Sequence, residues 1–318
     1  MNHYPSNVKE KLNSIILSMA EHHWLFSKNP GHDFTRQHLG KLSFYDTMRL
    51  IISMGKGSTN DEIMDYFDLD PDLIPSQSAF CQRRRQISLS AFEYLFSEFS
   101  SSFPSTTDKF KDHCILACDG CHVVYATNSD IIEDYNKPRL IDYKGYNHMH
   151  LNGFVDVISK AFLDVVIQPG QQPDEREALH SMLDHFTPDD PQKYIITADR
   201  GYESYDLLFH CELQNLGYVF RVKSPSSPKS ILSYYASELP DDLEEFDVTI
   251  KRFFTNKATV IFISCSFALL RSKQPEFLKQ EIYCLILYNF GIFIANEAAE
   301  ENRKKKRDGN NKYLYELD

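Results

Sequence analysis

The sequence predicts an α/β (α+β) protein in which a helical region of about 110 residues precedes a layered sheet, and three observations carry that prediction. Residues 115–118 (Ile-Leu-Ala-Cys) and 194–198 (Tyr-Ile-Ile-Thr-Ala) are apolar runs of strand length. Each delivers an aspartate, Asp119 before Gly120 and Asp199 before Arg200-Gly201-Tyr202. A run that is apolar on both faces needs cover on both, so each reads as a central strand. Residues 194–222 then read strand, helix, strand, which is a βαβ unit. Before residue 104, by contrast, apolar side chains recur at helical spacing.

The helical part spans 8–103. Leu42, Tyr45, Met48 and Ile51 or Ile52 lie one turn apart behind a cap at Ser43 with Asp46 three residues on, and Gly55 to Gly57 closes that helix. A second helix is predicted from Thr59, with Glu62 completing a capping box and Ile63 and Phe67 buried. Pro71 and Pro75 break the chain, after which Ser76 or Ser78 caps a third helix bearing Phe80, Arg83, Arg84, Arg85 and Ile87. Two short helices, a turn and an Arg-rich helix suit a helix-turn-helix-like DNA-binding module. The same periodicity fits a plain bundle with an exposed Arg face.

From about residue 112 the period changes. Alternating residues over 146–158 and 161–167 predict a hairpin joined near Ser159-Lys160 and ended by Pro169-Gly170. A helix is expected over 175–186, a strand over 194–198, a helix over 204–216 closed by Gly217, and a strand over 218–222. Asp199 then lies at the carboxyl end of its strand, where open α/β sheets place their ligands. Residues 224–228 read as a loop, 230–268 as mixed with strand-like 246–250 and 260–264, 275–299 as helical, and 303–318 as a basic polar tail.

Two aspartates gathered at one sheet edge repel each other and are expensive to desolvate. They form either a divalent-metal site or an acid/base pair with split pKa values. Taken singly, Asp-Gly after a strand is also an ordinary turn. The cluster His113, Cys114, Cys118, Cys121 and His122 has no second ligand pair at fixed spacing, so its thiols read as small buried hydrophobes rather than zinc ligands. Seven scattered cysteines suit reduced thiols, and the 23 Phe and 18 Tyr suit an aromatic core. No apolar run is long enough to span a membrane, and Met1-Asn2-His3-Tyr4-Pro5 lacks a signal layout, so a soluble intracellular chain is expected. A net charge of −11 speaks mildly against nucleic acid, yet basic groups cluster at Arg83–Arg85, at Arg221 and Lys223, and at 303–307.

With these residues in view, the chain resembles the DDE transposases of bacterial insertion sequences, in particular the IS-four type. The resemblance rests on Leu42-Ser43-Phe44, Ser76-Gln77-Ser78-Ala79-Phe80, Asp119-Gly120, the 148–167 hairpin, Ala198-Asp199-Arg200-Gly201-Tyr202, and Ser272-Lys273-Gln274-Pro275-Glu276 leading into Gln280-Glu281-Ile282-Tyr283. It implies a ribonuclease-H-like mixed sheet with flanking helices over 111–302, holding a shortened β insertion at about 230–268, after a DNA-binding helical domain over 1–110. By resemblance, Asp119 and Asp199 are the first two catalytic aspartates and ligands of Mg²⁺ (or Mn²⁺), and Arg200 and Tyr202 lie near DNA phosphate. The implied partner is double-stranded DNA at transposon terminal inverted repeats, engaged by a cytoplasmic, nucleoid-associated bacterial protein for which a homodimer is compatible. The implied reaction is cut-and-paste transposition.

One departure stands out. The family carries its third carboxylate on a helix just before the Ser-Lys-x-Pro-Glu segment, whereas here 264–271 run straight into Ser272-Lys273. No catalytic Glu is therefore assigned, and Glu276 and Glu281 lie past the missing helix. The chain is expected to bind DNA weakly and neither to cleave nor to join transposon ends. Two other readings remain open: a non-catalytic DNA binder, and a metal-dependent nuclease that recruits Asp156 or Glu203.

Overall fold

Side-chain caps set the helix boundaries of the N-terminal region. The computed structural model describes residues 6–34, 42–55, 57–102, 110–138, 145–224, 226–235, 279–280 and 289–295. The chain divides into two compact units, Met1–Pro104 with Gln274–Asp318, and Ser105–Lys273.

The first unit contains α1 (Ser6–Glu21), α2 (Phe44–Ser53), α3 (Thr59–Tyr66), α4 (Gln77–Gln86) and α5 (Leu89–Ser101). At α2 the predicted box forms: Ser43 Oγ accepts from Asp46 N at 3.0 Å, and Asp46 Oδ2 accepts from Ser43 N at 3.2 Å. At α3 the box is instead Ser58 with Asp61. Glu62 lies one residue too far along, and its carboxylate accepts from Gly55 N and Gly57 N, fastening the preceding loop. Ser76 Oγ caps α4 by accepting from Ala79 N. Ile16, Met19, Met48, Ile51, Leu95 and Phe99 are buried, while Phe67 is only half-buried.

The second unit is a mixed sheet. β1 (Cys114–Tyr125) is central, antiparallel to β3 (Tyr146–Asp156) on one edge and parallel to β5 (Tyr194–Ala198) on the other. β6 (Gly217–Phe220) extends the sheet parallel to β5. On the far edge of β3 lie β4 (Phe162–Pro169) and the two-residue β2 (Tyr135–Asn136), both antiparallel. The order β4, β3, β1, β5, β6, antiparallel on one side and parallel on the other, is the ribonuclease-H-like arrangement that the resemblance implies.

α6 (Glu175–His185) and α7 (Tyr205–Leu213) cover one face of this sheet. Ala178, Leu179, Met182 and Leu183 from α6 join Leu207 and Cys211 from α7 over Leu116, Cys118, Phe154, Ile196 and Ala198. Each fully buried Leu or Ile contributes about 1.5–3 kcal/mol.

Two boundaries differ from expectation. The chain does not turn at Asp119-Gly120: β1 continues to Tyr125 because β3 pairs with it all the way from Leu116↔Asp156 to Tyr125↔Asn147. Nor does Gly217 close α7. Asn215 takes the left-handed conformation (φ 57°), and Leu216 N donates to Cys211 O while Asn215 N donates to Glu212 O, a Schellman closure. Gly217 opens β6 instead. The expected strands at 246–250 and 260–264, Glu276, Glu281 and the tail over 303–318 lie outside the described residues, and within 275–299 residues 279–280 and 289–295 are helical.

Candidate active site

Strand register brings the two aspartates together. The parallel ladder between β1 and β5 ends at Cys118↔Ala198, and Asp119 and Asp199 are the next residue on each chain. Neighbouring strands are about 4.8 Å apart, so residues at one level stand side by side with their side chains starting from the same side of the sheet. Because β5 stops at Ala198, Asp119 borders the open end of β5 where the chain turns after Asp199. Both carboxylates are partly exposed.

Each aspartate is oriented by its own backbone. Asp119 Oδ1 accepts from Gly120 N at 2.8 Å, and Asp199 Oδ1 accepts from Gly201 N at 2.8 Å, an Asx-type turn. Tyr202 N closes that turn on Asp199 O.

The residues of the Asp-Arg-Gly-Tyr element then diverge. Arg200 is exposed beside the turn. Tyr202 is only 1% exposed, and its hydroxyl donates to Asn152 Oδ1 on β3 at 3.2 Å. Its phenol thus points into the unit and pins the turn to the sheet, away from any phosphate outside. Burial pushes both the Tyr202 phenol and the neighbouring Cys118 thiol far above their ordinary ranges.

A third acid, not anticipated from the sequence, stands at this turn. Glu175 opens α6 behind the N-cap Asp174, where the helix dipole favours negative charge. A Cβ on Gly120 would meet Glu175 Oε1 at 2.9 Å and His150 Nε2 at 2.5 Å, and a Cβ on Gly201 would meet Glu175 Oε2 at 2.7 Å. The glycines after the two aspartates therefore leave the space that the Glu175 carboxylate occupies. Arg176 Nε donates to Gly201 O, tying the start of α6 to the same turn.

Histidines line the adjoining sheet surface. His150 Nε2 lies 3.3 Å from Glu175 Oε1, within ion-pair range but out of hydrogen-bond alignment. The His122 ring lies 4.5 Å from that of His148 and 5.1 Å from that of His150. Desolvation first, and then mutual repulsion, holds the pKa values of His122 and His148 below the ordinary imidazole value. In sequence Glu175 reads only as the first residue of the helix expected over 175–186.

The other candidates have structural occupations. Asp156 is buried and its Oδ1 accepts from Ile158 N and Ser159 N, organising the turn between β3 and β4. Glu203 is buried and accepts from Lys223 N and Ile231 N, with Lys223 Nζ at 3.5 Å. Neither is available to the aspartates.

In the helical unit Arg83, Arg84 and Arg85 do not form one face. Arg85 is exposed. Arg83 is half-buried, its guanidinium 5.1 Å from the centre of the Phe34 ring and bonded to Gln86. Arg84 is 5% exposed, and its Nε donates to Gln280 Oε1 at 2.8 Å. A guanidinium spent on an internal amide cannot reach a phosphate, which leaves Arg85 and the outer part of Arg83.

The donor set at the aspartates suits a hard cation. Mg²⁺ keeps several waters and is typically held by one or two carboxylates together with substrate phosphates. Asp119 and Asp199 supply two carboxylates. Among the described residues no group of three or more His, Cys, Asp or Glu stands ready as a metal cluster. No helix among the described residues is long and apolar enough to cross a membrane.

Residues 110–282, more than half of the chain, match the family described as the transposase DDE domain. No curated protein matches the chain.

Proposed function

The chain belongs to the transposase DDE-domain family, and from that premise we propose that it is a DNA transposase of an IS-four-type bacterial insertion sequence, with Asp119 and Asp199 as its catalytic aspartates. The reading is carried by one observation: the two aspartates follow the last paired residues, Cys118 and Ala198, of adjacent parallel strands. Both carboxylates would hold Mg²⁺ or Mn²⁺ at the open end of β5. A bound metal pair would activate water or a 3′-hydroxyl and stabilise the leaving oxygen of an in-line displacement at phosphorus. Asp199, fixed by Gly201 N, keeps its second oxygen for the cation, and Arg200 offers a cation to the DNA backbone at the same turn. Double-stranded DNA bearing terminal inverted repeats is the substrate, two copies of the chain would hold the paired ends, and the cytoplasm is the compartment.

A second reading, a chain that binds DNA without cutting it, is favoured by the lack of a ready-made three-ligand cluster among the described residues and by the sequence reading in which 264–271 run straight into Ser272-Lys273. One experiment separates the two. Purified chain is incubated with plasmid carrying the element's ends, with Mg²⁺ or Mn²⁺, beside the Asp119→Asn and Asp199→Asn variants. Nicking or end cleavage lost in both variants supports catalysis. Salt-sensitive binding of the ends with no cleavage supports the second reading, and cleavage that survives both substitutions refutes the site.

A further inference from the structure

We propose that His180 on α6 and His210 on α7 form a proton-operated clasp between the two helices, closed by one hydrogen bond between their Nδ1 atoms and opened by acid. The rings stand edge to face with centroids 4.6 Å apart. Their Nδ1 atoms are 2.9 Å apart, a gap that one proton bridges and two cannot share. The remaining partners decide which ring supplies it. His180 Nε2 lies 3.0 Å from Asp206 Oδ2, a carboxylate that only accepts, so His180 carries its proton on Nε2 and its Nδ1 is the acceptor. His210 therefore donates from Nδ1, and its Nε2 accepts from Gln214 Nε2 at 3.0 Å. The same amide donates to Leu183 O at 2.9 Å, which fixes its orientation, since turning it over would set two carbonyl oxygens against each other. With both imidazoles neutral, every ring nitrogen of the pair has a partner of the right kind. Asp206–His180, His180–His210 and Gln214–Leu183 then fasten α7 and its cap to α6.

Acid takes this arrangement apart in two steps. The first added proton enters at His210 Nε2, because the Nδ1 atoms already share one and His180 Nε2 holds its own. There it displaces the Gln214 amide and turns to Asp184 Oδ1, 3.3 Å away on a side chain that is 66% exposed and free to move in. A second proton would set N–H against N–H between two cations, so the Nδ1 bond breaks. Desolvation first, and then His180, hold His210 below the ordinary imidazole value, with Asp184 and Asp206 opposing. The neutral clasp is thus intact above about pH 6.5 and is lost as pH falls through the lowered value of His210. The other charged groups of the two helices and of the strands beside them are occupied or in solvent. His185 faces Asp164 on β4, Glu212 accepts from the Tyr218 hydroxyl on β6, Glu177 is exposed, and Glu175 and Arg176 stand at the Gly201 turn. Since Arg176 Nε donates to Gly201 O, an opened clasp also loosens the turn that carries Asp199.

Nuclear magnetic resonance of the histidine ring nitrogens in the full chain, titrated from about pH 8 to about pH 4.5 around the ordinary imidazole value, reads the clasp directly. His180→Gln and His210→Gln assign the signals. At the alkaline end His180 is expected as the Nε2–H tautomer and His210 as the Nδ1–H tautomer, with a scalar coupling between the two Nδ1 nuclei. His210 should titrate below its ordinary value. Asp184→Asn removes the waiting acceptor and should lower that midpoint, whereas Gln214→Met removes the donor that favours the neutral ring and should raise it, each by roughly half to one pH unit. Amide hydrogen exchange, corrected for its intrinsic pH dependence, should show α6 and Gly201 losing protection as His210 titrates, and already lacking it in His180→Gln. An Nε2–H tautomer at His210, or no coupling between the rings, would overturn the clasp, as would midpoints that neither substitution moves. Protection of α6 that is equal on both sides of the titration would overturn its opening by acid, and loss in α6 with Gly201 unchanged would overturn its reach to the Asp199 turn.

Discussion

Tyr202→Phe separates what the sequence and the structure say about one residue. By family resemblance Tyr202 stands near DNA phosphate. In the structure it is buried, and its hydroxyl donates to Asn152 Oδ1, itself fully buried on β3. Removing that hydroxyl leaves the ring in place and costs little packing, but strips the amide oxygen of a donor in a site closed to water. An unsatisfied buried acceptor costs about 1–3 kcal/mol. For a unit of this size each kcal/mol lowers the melting temperature by about 2–4 °C, so a fall of roughly 2 to 12 °C is expected. Binding to duplex DNA should respond otherwise. A neutral hydroxyl on a phosphate releases no counterion, so such a contact would show as affinity rather than as salt slope, and a buried Tyr202 that makes none leaves the affinity unchanged. Thermal melting by circular dichroism and fluorescence anisotropy over a salt series measure the two quantities. Wild-type stability together with weaker DNA binding at every salt concentration would refute the anchoring role and restore the phosphate contact.

Three further outcomes follow from the same geometry. Arg84→Ala should destabilise the helical unit by about 1–3 kcal/mol, since it removes a buried side chain together with its hydrogen bond to Gln280 Oε1, with no change in salt slope, whereas Arg85→Ala should lower the slope and leave stability within about 0.5 kcal/mol; the reverse pattern in urea melts and salt titrations would show that the trio is misread. The pKa of His210, like that of His148, is depressed by desolvation first, and for His210 by the neighbouring His180 next. The fold therefore prefers both imidazoles neutral while the unfolded chain protonates them near pH 6.5, so their contribution to stability is intact above that pH and is lost as pH falls below it; a melting temperature that is flat or rises between pH 7.5 and 5.5 would contradict this. Glu203→Ala should remove the acceptor of Lys223 N and Ile231 N and cost about 2–4 kcal/mol in urea denaturation while sparing Mn²⁺ binding, and loss of metal binding with stability kept would return Glu203 to the list of site acids.

What the sequence disclosed and what it hid follow a physical division. The hairpin over 146–167, strand 194–198 and the caps at Ser43 and Ser76 were legible because alternation, apolar runs and capping side chains are local signals. The α3 cap went to Ser58 rather than Thr59 because the two offer similar hydroxyls, and only the bonding of Asp61 decides between them. Asp119-Gly120 reads locally as a turn, and only the long partner offered by β3 carries β1 through it. Arg84 looks solvent-facing beside Arg83 and Arg85 because its partner, Gln280, is remote in the chain.

The Asp199-Arg200-Gly201-Tyr202 element shows the division within four residues. Read as letters, it is a run of site residues. Folded, Asp199 is aimed by the amide of Gly201, Arg200 faces solvent, and Tyr202 is buried to hold the turn on β3. Gly201 is there for what it lacks: any Cβ would strike Glu175. The same holds for Gly120 on the other strand, where a Cβ would strike Glu175 and His150. Side chains that touch a site leave a mark in sequence by their own chemistry. A side chain that a site merely makes room for is recorded only by the glycines around it, and glycines one and two residues after two aspartates are uninformative until α6 is packed against them.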